Sequence, residues 1–106
     1  MWFVQGSNLQ MAEGDFGMEL PVTVSGVTLG ENDTLLFTFK DNANGNTILT
    51  KQFSNVSQNT VNLVFSSSES ALFPVGIYVY SLDWYQSGHF MCNIILRSTL
   101  QVVDKA

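Results

Sequence analysis

His89 and Cys92 are the residue types in this 106-residue chain best suited to metal or nucleophilic chemistry, and each occurs once. They stand as H-x-x-C. On a strand that spacing points the two side chains to opposite faces, and a zinc site needs more ligands than this pair supplies. His89 therefore reads as an exposed residue beside a hairpin. Cys92 reads as a small core hydrophobe on one face with Phe90 and Ile94. Ser87, His89 and Asp83 compose a Ser/His/Asp trio in residue type alone, without nucleophile-elbow spacing. Asp41–Asn46 has the look of a calcium loop, but Ala43 falls at the third position and Gly45 at the fifth, where ligands belong. Glu13 with Asp15 and Glu31 with Asp33 are turn acids, a type that is solvated or bonds its own backbone. Asn32 and Asn55 begin N-x-S/T triplets, which carry meaning only in a secretory pathway. These readings give no enzyme, no cofactor and no metal.

Aromatic residues remain. In Ile77–Tyr85, Tyr78, Tyr80, Leu82 and Trp84 share one face because side chains alternate along an extended chain. Core packing is the more frequent fate of such a face. Tyr85 falls on the opposite face, and Trp2, Phe3 and Val4 lie in an apolar arm, Met1–Val4. The candidate interaction residues are thus Trp2, Phe3, Val4 and Tyr85.

The elements that position these residues are short strands separated by turn chemistry. Leu9–Ala12 is a short extended segment, followed by a turn at Glu13-Gly14-Asp15. Met18–Ser25 alternates with Leu20, Val22 and Val24 on one face, and Pro21 inside it implies an edge strand or a bulge. Thr34–Lys40 reads as a central strand with Leu35, Phe37 and Phe39 inward. Asn44-Gly45 then marks a hairpin into Thr47–Phe53. Val61, Leu63 and Phe65 form the next inward set. Ser67–Phe73 is predicted as one serine-capped helical turn crossing between sheets. Gly76 followed by Tyr78 matches the tyrosine corner of Ig-like sandwiches, where a tyrosine hydroxyl bonds upstream backbone. Gln86-Ser87-Gly88 closes a hairpin into a last strand whose parity predicts Phe90, Cys92, Ile94, Leu96, Leu100 and Val102 inward. The fold class is all-β, an Ig-like antiparallel β-sandwich of seven to eight strands, in a single domain over residues 1–106.

Composition excludes several function classes. Hydrophobic residues make up 45% and charged residues 12%, the latter roughly half the usual share. Four basic residues against nine acidic give a net charge of −5. Phosphate binding needs clustered Lys and Arg, so nucleic acid and anionic membrane surfaces are disfavoured. A single cysteine forbids an intrachain disulfide. The opening MWFVQGSNLQ has neither a basic region nor an apolar run of signal length, so the expectation is folding in a cytoplasm.

With the strands placed, the chain resembles the family of small proteins and N-terminal domains typified by the phage baseplate upper protein, from phages of Gram-positive bacteria. The residues that carry the resemblance are Gly14-Asp15; Leu20, Val22 and Val24; and Phe37-Thr38-Phe39-Lys40-Asp41 with Gly45 and Ile48. They continue through Leu72, Gly76, Tyr78, Tyr80, Leu82 and Gly88 to Leu100 and Val102. It runs from about Leu9 to Val103. Phe16 stands where the family usually has Thr, Ser81 where an Asp often follows, and Ser98 where Gly is common. The resemblance implies a virion or prophage structural protein, assembled in the host cytoplasm into a tail or baseplate. Its partners would be other tail or baseplate proteins. Separately, a charge-poor surface, an aromatic N-terminus and an edge strand holding Pro21 predict self-association or heteromeric assembly through the N-terminal end; the alternative is that Met1–Val4 only completes its own sheet. The alternative function is a glycan- or surface-binding module whose exposed aromatics stack on sugar.

Overall fold

The computed structural model describes residues 2–42, 45–54, 56 and 59–104; the side chains of Phe3 and Gln5 lie outside that description. Met1, Ala43, Asn44 and Asn55, which figure in the arm, loop and triplet readings above, also fall outside it. The described chain is all-β. Strands β1 (Phe3–Gln5), β2 (Asn8–Ala12), β3 (Leu20–Thr23), β4 (Asp33–Lys40), β5 (Thr47–Ser54) and β6 (Thr60–Leu63) precede a helical turn, α1 (Ser67–Ser70). Strands β7 (Gly76–Gln86) and β8 (His89–Val103) complete it. One sheet has the order β1-β2-β8-β7-β4-β5 and the other is β3-β6. The run β8-β7-β4-β5 facing β3-β6 is the Ig-like arrangement. One pairing departs from a wholly antiparallel sandwich: β2 runs parallel to β8, with Leu9 opposite Leu100 and Met11 opposite Val102.

Alternation in the sequence builds the core. Leu35, Phe37 and Phe39 of β4 are buried, as are Tyr80 and Leu82 of β7, Leu100 and Val102 of β8, and Val61, Leu63 and Phe65 from the other layer. Phe39 meets Phe65 and Phe73 edge-on at 5.4 and 5.8 Å, and Phe65 stacks on Phe73 at 5.3 Å, within the range where aromatic pairs add to burial. The predicted crossing turn is present. Ser66 caps α1 through a reciprocal box with Glu69, whose carboxylate also takes the Lys51 ammonium at 2.9 Å. Pro21 sits in β3, which among the described residues pairs only with β6 and so needs no donor on its outer side.

The hairpins follow turn chemistry. Ser87 and Gly88 take φ of 50° and 83°, the mirror-image turn that suits a two-residue loop between twisted strands. Gly45 is fixed by crowding: a Cβ there would lie 1.6 Å from Asp41 Oδ1. That carboxylate accepts the Asn46 N–H at 2.9 Å, so it serves the turn.

The inward set predicted for the last strand needs correction. From Tyr80 to Tyr85 the β8 partners step from Ser98 to Ile95, Asn93, Cys92 and Phe90, so β8 carries three extra residues as bulges. Each bulge re-aims the side chains that follow. Leu96 is 76% exposed and Phe90 is exposed opposite Tyr85. Cys92 lies opposite Trp84 yet is exposed, because the β7–β8 hairpin runs past the end of the four-residue strands of the second sheet. His89 lies opposite Gln86 and Cys92 opposite Trp84, so the two share a face rather than opposing each other.

Candidate interaction surfaces

Two surfaces gather the candidate residues. The first is the rim around β1. Gly6, at φ 62°, turns the chain from β1 into β2, and the turn is tied down by the Tyr80 hydroxyl donating to the Ser7 carbonyl and by Ser7 and Ser98 sharing a hydroxyl bond. Asn8 Oδ1 accepts from Thr99 Oγ1 at 3.1 Å. Trp2 is half-buried: its indole N–H donates to the Met18 carbonyl at 3.0 Å, and its ring meets Phe65 edge-on at 5.4 Å. Beside it lie Val4, 46% exposed, Met18, 50%, and Phe16, 60%. Among the described residues β1 pairs on one side only, and Phe3-Val4-Gln5 contains no charge, proline or bulge. Those are the devices with which proteins usually blunt an open edge.

The second surface is the outer face of the large sheet. Thr34, Leu36, Thr38 and Lys40 of β4 lie opposite Tyr85, Asp83, Ser81 and Val79 of β7. Tyr85 is half-buried and held edge-on by Phe90 at 5.7 Å. With Thr34, Leu36, Gln52 and Gly88 it lines an open cavity of about 220 Å³. Val4 aligns through Leu9 and Leu100 with Tyr78, seven residues before Tyr85 and three strands away. By strand rise and spacing, the two surfaces are roughly 25 Å apart. The four candidates are therefore not one site.

Electrostatics set apart three groups. Burial pushes the Tyr80 hydroxyl up to about 12. Tyr78, whose hydroxyl donates to the Pro74 carbonyl at 2.6 Å, is raised by burial and then by the Glu13 charge. That bond is the one expected of a tyrosine corner. For Glu69, burial opposes the charge, but the Ser66 N–H, the Lys51 ammonium and the Ser66 hydroxyl together hold the carboxyl below its ordinary value.

The chemistry-bearing residues stay apart. Asp83 bonds Asn93, and neither Ser87 nor His89 is bonded to it among the described residues. No group of three or more His, Cys, Asp or Glu that could hold a metal occurs among the described residues. Two polar residues matter more than sequence reasoning gave them credit for. Asp33, 4% exposed, accepts the Trp84 indole at 2.9 Å and the Gly30 N–H at 2.8 Å. Asn59, at φ 58°, accepts the Leu29 N–H and donates to the Val24 and Val27 carbonyls. Its signal in the sequence was an asparagine, a residue that tolerates positive φ, just before a strand. Comparison with known protein families, curated proteins and solved structures finds no match for this chain.

Proposed function

We propose that this chain is a non-enzymatic structural module of a phage or prophage tail or baseplate, joined to its neighbours through the β1 rim. The observation that carries the assembly reading is an unprotected edge strand bordered by exposed Val4, Phe16 and Met18. Strand addition supplies main-chain hydrogen bonds, and an adjoining apolar rim supplies side-chain burial, a combination suited to protein partners. The phage setting rests on the resemblance carried by Gly14-Asp15, Phe37–Asp41 and the Gly76, Tyr78, Tyr80 run.

Light scattering on the chain should show concentration-dependent association, or binding to neighbouring tail proteins, that Val4→Lys and Phe16→Glu weaken while the fold survives. A monomer at every concentration, together with unchanged tail-protein binding by both variants, overturns the reading. A glycan-binding module is the second reading, favoured by the Tyr85 cavity with its Gln52 and Thr34 side chains. Saccharide binding that perturbs Tyr85 and Gln52 and leaves the β1 rim unchanged would favour it instead.

A further inference from the structure

We propose that Lys40, Arg97, Thr38 and Ser81 form a carboxylate-binding groove on the outer face of the large sheet, occupied by an acidic peptide segment of a partner protein. The kind of partner rests on the assembly reading above; the groove stands on its own geometry. Between Tyr80 and Leu82, β8 places both Leu96 and Arg97 against the single residue Ser81. That two-against-one bulge turns Arg97 onto the outer face. Lys40 arrives from the end of β4, and the cross-strand pair Thr38–Ser81 forms the floor. Together they line a cavity of about 70 Å³, walled by Leu96.

Charge makes the arrangement unusual. Of the four basic residues in a chain of net charge −5, three are described, and Lys51 is committed to both carboxylate oxygens of Glu69. Lys40 and Arg97 have no ion-pair partner among the described residues, and the Thr38 and Ser81 hydroxyls have no side-chain partner there. Asp83, the next outward residue of β7 after Ser81, lies about 7 Å further along by strand rise and bonds Asn93. Two like charges over one cavity repel each other until an anion enters. A planar guanidinium offers a carboxylate two parallel donors, an ammonium offers a third, and the hydroxyls suit the remaining lone pairs.

The test is an amide-resolved NMR titration with an end-capped tetraglutamate peptide. Saturating shifts should be confined to residues 38–40, 79–81 and 96–98. Lys40→Gln and Arg97→Gln should each weaken binding roughly fivefold, the upper end for one exposed ion pair, and high salt should abolish it. Shifts spread over the chain, or binding indifferent to both substitutions, overturn the proposal. So does inorganic phosphate binding the groove while the peptide does not. A groove that binds the peptide in a chain that stays monomeric and ignores tail proteins sinks the assembly reading and leaves the groove standing.

Discussion

Single hydroxyls do much of the fixing in this sandwich. The Tyr78 hydroxyl spans four residues back to Pro74, pinning the crossing that follows α1. Tyr78→Phe should lower unfolding free energy by about 1 kcal/mol, the usual net worth of one hydrogen bond, read from denaturant melts. Tyr80 acts at higher pH. Its hydroxyl is buried on the Ser7 carbonyl and titrates at about 12, whereas in the unfolded chain it ionises near 10. The unfolded state thus loses the proton first, and stability that is complete below pH 10 falls away as pH rises toward 12. Between pH 9 and 11.5 the loss should be about 2 kcal/mol, and Tyr80→Phe should flatten that slope. The Tyr78 bond was legible from the G-x-Y entry and the inward face of Tyr80 from alternation, whereas the Tyr80–Ser7 bond was not. The exposure of Cys92 was not legible: alternation assigned it the Trp84 face, which it keeps, but says nothing of where the covering layer ends.

At the scale of elements, sequence order and strand periodicity were readable wherever a strand is regular. The alternation of Leu35, Phe37 and Phe39 survives intact because β4 lies between two partners in unbroken register with β7. β8 defeated the same logic: its length lets it bulge, and the short second sheet leaves its hairpin end uncovered. The interaction surfaces were half legible. An apolar arm and an outward tyrosine are sequence features, but the Lys40–Arg97 groove depends on a register shift. The α1 cap is the element most open to a pH test. Glu69 is held below its ordinary value, so its contribution is complete above the usual carboxylate range and lost as pH falls through and below it. Stability by urea unfolding should therefore drop from pH 6 to pH 3, and Glu69→Gln should reduce that drop. Ser66→Ala, which removes the cap, should cost about 1 kcal/mol at pH 6 and less at pH 3, because the Ser66 hydroxyl also favours the ionised Glu69.

For the whole molecule, the assembly reading gives two exposed faces different work. The β1 rim offers backbone and apolar side chains, and the outer sheet face offers uncompensated positive charge. Association through the rim should therefore tolerate salt, whereas acidic peptides at the groove should not, since screening acts on exposed charge and not on apolar burial. The parallel pairing of β2 with β8 bears on something else, the response to pulling. Tension applied beyond Asn8 and beyond Val103 in opposite directions would peel the antiparallel β1 from β2 one bond at a time. The next bonds in the path, from Leu9–Leu100 to Ala12–Val103, run across the line of force and would be loaded together. A sandwich clasped this way yields by simultaneous shear, so mechanical stiffness is built into the joint between its second strand and its last.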